Sequence, residues 1–195
     1  EHKNFLKRYS LSIEKEDGRF VLFNDKFFEL SINQNQYIWT GTVMAKKRVL
    51  SFLGGFCEEL KAAEDTDLWF QVIKTFHVGY INLPLTIYKR FRGYFLMKNE
   101  SFSYSESIRF LKRLLVDVKG DRRLTKHIKK RIANHSHYLG DYYLSNSKKF
   151  SAIKSYFYGI SNEPKNLTYW LGLIKVFLPF FLLTRLRKLK SLCQK

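Results

Sequence analysis

Cysteine is nearly absent from this chain of 195 residues: only Cys57 and Cys193 carry a thiol. They lie far apart and match neither a metal-binding nor a redox spacing, which excludes a disulfide framework and implies a reducing compartment. The opening residues Glu1-His2-Lys3-Asn4 are polar and no apolar run follows them, so no signal peptide is expected. They also lack an initiator methionine, which suggests a domain cut or an incomplete reading frame. No uninterrupted apolar run reaches the roughly twenty residues that a membrane-spanning helix needs. Acidic residues are scarce as well: 17 Asp and Glu face 35 Lys and Arg, for a net charge of +18 and a pI near 9.9. Such a balance calls for an anionic partner, whether nucleic acid, anionic lipid headgroups or a phosphorylated substrate.

What is present fits one domain or two small ones with a buried core. Eighteen Phe and twelve Tyr supply that core and leave aromatics over for sugar-stacking or membrane-interface surfaces. One stretch stands apart from the basic background. Residues 54–69 hold five of the seventeen acids (Glu58, Glu59, Glu64, Asp65 and Asp67) against a single cation, Lys61. A Gly-Gly turn, an acidic loop and an apolar-periodic helix present a carboxylate at a helix start. There it serves either as a catalytic base or as a cap that complements the helix dipole.

Around that stretch the chain alternates short elements. The turn Asp17-Gly18 predicts a short strand at Arg19–Phe23, and Phe27–Ile32 reads as a short helix or strand. Residues 37–45, β-branched and aromatic, predict a buried strand, with Gly41 as a bend, a bulge or a place where a ligand approaches the backbone. Residues 46–53 predict a short amphipathic helix stopped by Gly54-Gly55. From Asp65, Leu68, Val72 and Phe76 keep helical spacing, with Trp69 and Ile73 beside them and Asp65 in the cap or first turn. Residues 77–88 read as a strand, a kink at Pro84 and a second strand, closed by Lys89, Arg90 and Arg92.

A Ser-rich boundary at 99–105 separates a part spanning residues 1–104 from a helical part spanning 105–195. In the latter, Ile108, Leu111, Leu115 and Val118 share one face of a helix that ends near Gly120. A second helix covers 122–145 and a third runs from Phe150 to Ile160, a pair similar to one tetratricopeptide-type hairpin. His127, His135 and His137 lack helical metal-site spacing and read as surface or packing residues. The apolar segment 167–183 is broken by Lys175 and Pro179 and followed by Arg185, Arg187, Lys188 and Lys190. It predicts an interfacial segment over 167–190, with Tyr169 and Trp170 at headgroup level and the cations on anionic lipid; a core-packing helix pair is the alternative.

The order of these segments resembles the second half of family 2 glycosyltransferases with the GT-A fold. The resemblance rests on Trp39-Thr40-Gly41-Thr42 through Leu50, Gly54-Gly55-Phe56 with Glu58-Glu59-Leu60, Glu64-Asp65-Thr66-Asp67-Leu68-Trp69, and Leu85-Thr86-Ile87-Tyr88-Lys89-Arg90. It covers about residues 15–105, and the four motifs follow the family's order. The fold expected from it is α/β: the acceptor-side half of a GT-A nucleotide-diphospho-sugar transferase, followed by an α-helical tail like those of bacterial members that modify surface polysaccharides.

The resemblance implies transfer of a sugar, with inversion, from a nucleotide-sugar donor to a hydroxyl of a glycan or lipid-linked acceptor. Asp65 matches the general base, and Glu64 would position the loop or the acceptor. Trp69 would pack beneath them, Gly41 and Thr42 would line the donor-sugar side, and Lys89 and Arg90 would meet diphosphate or acceptor. Two residues depart from the family pattern: Cys57 stands where Asp is common and Gln71 where Arg is frequent. The nucleotide-binding strands and their Asp-x-Asp motif have no counterpart here. A divalent metal, Mg or Mn, is therefore expected for the complete enzyme, with no ligands identifiable in these residues. The implied setting is the cytoplasmic face of the membrane, with an anionic membrane surface and no nucleic acid as partner. The competing expectation is a non-enzymatic basic helical module that binds anionic membrane or nucleic acid, although no recognised nucleic-acid-binding signature is present.

Overall fold

The computed structural model describes residues 2–33, 38–87 and 100–178. Its elements are α1 (His2–Arg8), β1 (Ile13–Asp17), β2 (Phe20–Phe23), α2 (Lys26–Asn33), α3 (Lys47–Phe52), α4 (Glu64–Thr75), β3 (Val78–Ile81), α5 (Glu100–Asp117), α6 (Arg122–Ser145), α7 (Lys149–Asn162) and α8 (Leu167–Lys175). The class is mixed α/β, mostly helical, with one small antiparallel sheet of order β1-β2-β3 among the described residues. Two compact units divide the chain: Glu1–Leu96 with Lys112–Ile128, and Met97–Leu111 with Lys129–Lys195.

In the first unit the predicted strand at 19–23 forms as β2. Asp17 pairs with Phe20 across a two-residue turn whose Gly18 takes φ 55°, a left-handed value that favours glycine. Central β2 buries Val21 and Phe23, while edge strand β1 exposes Glu14, Lys15, Glu16 and Asp17, charges that discourage further strand pairing. The helix-or-strand choice at 27–32 resolves as helix α2. Asn24 Oδ1 accepts from Lys26 N at 3.0 Å, and the ring of Phe27 stacks on Phe23 with centroids 4.1 Å apart. Helix α3 forms as expected and stops at Gly54 and Gly55, both near φ 79°, where Gly55 N donates back to Leu50 O at 3.0 Å.

Two expected strands do not form. Residues 38–45 carry no strand pairing; Thr40–Thr42 is an exposed 3₁₀ turn between extended Trp39 and Val43. The local reason is a competing side-chain bond: Thr42 Oγ1 donates to Trp39 O at 2.7 Å, so the β-branched residue closes a turn instead of joining a ladder. After β3, Asn82 N still donates to Arg19 O at 2.8 Å, but residues 83–87 carry no strand pairing, with Leu85 N turned back to Leu83 O across Pro84. Tyr37, Tyr88, Lys89, Arg90 and Arg92 lie outside the described residues.

The helical reading of the remainder is close. Ile108, Leu111 and Val118 of the predicted face are buried with Phe110 and Leu114, and the chain turns at Gly120 with φ 104°. The Ser-rich residues 101–105 lie inside α5, so residue 104 falls within a helix. In the second unit, Ala133, Ile160 and Tyr169 form one apolar cluster, and Ala152, Tyr156 and Val176 another, with Leu173 of α8 against both. Asp141 is the polar centre of this unit: it accepts from Tyr156 Oη at 2.6 Å and from Lys175 Nζ at 3.2 Å, and His137 Nε2 lies 3.5 Å away. Burial alone would raise the Asp141 pKa, but these donors and cations outweigh it and hold the carboxyl below its ordinary value. No helix among the described residues is long and apolar enough to cross a membrane.

Candidate functional site

The acidic stretch opens α4 through an unusual entry. Ala63, the residue before the helix, takes φ 66° and ψ 14°, a left-handed conformation that costs a β-carbon-bearing residue roughly 1 kcal/mol. Glu64, Asp65 and Asp67 then occupy the first turn, where the helix dipole favours negative charge. Leu68, Trp69, Phe70 and Ile73 of the same helix are buried, so its start is fixed by its apolar face.

Asp65 does not act as a simple cap. Its Oδ1 accepts from Thr66 N at 2.6 Å and from Thr66 Oγ1 at 3.3 Å, while Oδ2 accepts from Thr40 Oγ1 at 2.9 Å. Thr40 Oγ1 in turn accepts from Trp69 Nε1 at 3.1 Å. A carboxylate offers about four acceptor positions, so one on Oδ2 stays available on this half-buried side chain. Trp69 is buried, edge-on to Phe56 with centroids 6.2 Å apart.

The 3₁₀ turn of Gly41 and Thr42 therefore sits beside Asp65, joined to it through Thr40. Gly41 has a reason of its own to lack a side chain. A β-carbon there would come within 2.8 Å of the Trp39 ring, so the glycine lets that indole fold over the turn. Glu64 is half-buried and makes no hydrogen bond or ion pair among the described residues. Of the seven residues singled out from sequence, Asp65, Gly41, Thr42 and Trp69 gather around Thr40, Glu64 adjoins them in the chain, and Lys89 and Arg90 lie outside the described residues.

Asp67 belongs to a separate arrangement. Its carboxylate is buried and meets Arg113 Nε of α5 at 3.4 Å; Arg113 also lies 3.8 Å from Glu59. Burial pushes the Asp67 pKa up, and the Arg113 charge opposes that push without cancelling it. Asp65 and Asp67 thus have different partners and do not share a site as an Asp-x-Asp metal pair would. No group of three or more His, Cys, Asp or Glu side chains among the described residues is placed to hold a metal ion. A shallow concavity elsewhere in this unit is lined by Phe23, Asp25, Phe76 and His77 and by none of the residues singled out from sequence.

The chain matches no family model, no curated protein and no solved structure.

Sequence reasoning passed over Thr40 in favour of its neighbours Gly41 and Thr42, yet Thr40 makes the bonds to Asp65 and Trp69. It also saw Lys61 as the only cation near the acidic stretch. Arg113, 46 positions after Asp67, is invisible to any local window. Gln71, a departure from the family pattern, donates to Asp117 Oδ2 at 2.7 Å, and Lys74 pairs with the same carboxylate at 3.0 Å.

Proposed function

We propose that this chain is the acceptor-side part of an inverting family 2 glycosyltransferase of GT-A fold, with Asp65 as general base. The observation that supports this reading is the hydrogen-bonded placement of Asp65. Two segments 25 positions apart converge on one carboxylate, orient it through Thr40 and leave an acceptor position on Oδ2. A base must offer a lone pair within hydrogen-bond reach of the hydroxyl it deprotonates.

In the proposed step the acceptor hydroxyl oxygen bonds to the anomeric carbon of the donor sugar. Its proton passes to Asp65 Oδ2, and the nucleoside diphosphate leaves with the electron pair of the broken carbon–oxygen bond. Thr40 holds the carboxylate, Trp69 holds Thr40, and Glu64 stands at the same helix start to meet acceptor hydroxyls. Gly41 and Thr42 line the donor-sugar side, and Asp65 and Asp67, with their different partners, are not assigned to hold Mg or Mn. The acceptor is a glycan or lipid-linked sugar of surface polysaccharide or glycolipid, met at the cytoplasmic face of the membrane.

The test is sugar transfer by a reading frame that joins this chain to a nucleotide-binding half. Asp65→Asn is expected to abolish turnover and leave nucleotide-sugar affinity nearly unchanged. Near-normal turnover in that variant would remove Asp65 from the base role.

A further inference from the structure

Helix α8 is apolar nearly all round, yet only one side of it is packed. Tyr169, Gly172 and Val176 are buried against the second unit, and Tyr169 is only 1% exposed. Its hydroxyl shares one proton between Asn134 Oδ1 at 2.8 Å and Glu163 Oε2 at 3.1 Å. The expectation that Tyr169 lies at headgroup level is thereby corrected: it anchors the helix to the protein. On the opposite side, Leu167, Trp170, Leu171, Ile174 and, in the following turn, Phe177 are all exposed, the first and last at 75% and 74%. At 3.6 residues per turn these five fall within roughly a third of the circumference.

We infer that this face of α8 is the docking surface for an anionic lipid bilayer. The chain's charge selects that occupant. A second copy of a chain with net charge +18 would be repelled, whereas anionic lipid is attracted. Lys165 precedes the face, and the sequence from 179 to 195 carries Arg185, Arg187, Lys188, Lys190 and Lys195 with no acid. Trp170 is prepared for such a setting. Its Nε1 already donates to Pro164 O at 2.9 Å, so its ring can enter an apolar phase without stranding a donor. A short helix seated by one face and offering five large apolar side chains lies in the interface and does not span it. Asp65 takes no part, so the inference stands apart from the transferase proposal.

The experiment is co-sedimentation of the whole chain with phosphatidylcholine vesicles, with and without phosphatidylserine. The wild type is expected to pellet with the anionic vesicles and far less with neutral ones. The double variant Leu171→Glu/Ile174→Glu is expected to bind anionic vesicles roughly tenfold more weakly or worse. Both sites are exposed, so its melting temperature should stay near wild type. Vesicles of brominated lipid should quench wild-type tryptophan emission, and Trp170→Phe should remove most of the quenchable part. Equal pelleting of wild type and double variant overturns the inference, as does quenching that survives Trp170→Phe. So does a wild-type dimer that the double variant dissociates. A double variant that unfolds while Trp170→Phe still loses its quenching supports the inference.

Discussion

Thr40 Oγ1 donates to Asp65 Oδ2 over 2.9 Å and accepts from Trp69 Nε1 over 3.1 Å, so one hydroxyl serves two side chains of α4. Thr40→Val keeps the shape and removes the hydroxyl, leaving a buried indole N–H without an acceptor. The expected loss is about 1–3 kcal/mol of stability, whereas Thr40→Ser should stay within about 0.5 kcal/mol of wild type. Urea denaturation of the three proteins measures the difference; equal midpoints for Val and Ser would show that the hydroxyl is not engaged.

Arg113 is the cation that pairs with Asp67 among the described residues, and removing it leaves that buried carboxylate without this partner. Arg113→Ala should cost about 1–2 kcal/mol at neutral pH, less than a fully buried pair because water screens the partly exposed guanidinium. The raised Asp67 pKa fixes the pH trend. Its stability contribution is full below the ordinary value of 3.8, where the folded and unfolded carboxyls are both protonated, and is lost as pH rises through the folded value. The Arg113→Ala deficit should therefore shrink as the solution is acidified. Asp67→Asn combined with Arg113→Ala should cost less than the sum of the single variants, which a double-mutant cycle of melts would report.

Acid should act in the opposite sense at His135. Burial, helped by the Arg131 charge, lowers its pKa from 6.5 to about 4, and its Nδ1 is buried without a hydrogen-bond partner. Between those values the unfolded chain binds a proton that the folded chain refuses, so stability falls as pH drops from 6.5 toward 4 and is flat below. The full loss is roughly 3 kcal/mol. His135→Phe should flatten this part of a stability-against-pH curve and keep a ring beside Tyr104, whose centroid lies 6.0 Å from that of His135.

Gly172 lets α8 approach two rings. A β-carbon there would stand 2.7 Å from both His137 Cε1 and Tyr156 Cε1. Gly172→Ala should cost about 1–3 kcal/mol through this overpacking and raise hydrogen exchange along α8. An alanine variant with wild-type exchange would mean that the rings yield freely.

Legibility in the sequence followed the range of the forces involved. Helices α3 to α7 were readable because their apolar period and the glycine stops are local: Gly54 and Gly55 end α3, and Gly120 breaks α5 from α6. The strand expected at 37–45 failed because Thr42 turned its hydroxyl onto Trp39 O, a choice that composition does not reveal. Helix α8 carries apolar residues on both sides, so its sequence placed both Tyr169 and Trp170 at headgroup level; packing against Ala133 and Ile160 turns Tyr169 inward instead. At the site, Asp65 stood out by charge against a basic chain. The contacts of Asp65 with Thr40 and of Asp67 with Arg113 join distant positions and needed the fold.

The bonds from Trp69 to Thr40 and from Thr40 to Asp65 also form a readout. They run in series, and Trp69 is buried while Trp39 and Trp170 are exposed. A ligand on the carboxylate would reorient the threonine hydroxyl and change the dipole felt by the indole. The blue side of the protein's ultraviolet emission should then track the occupancy of Asp65 without any added label.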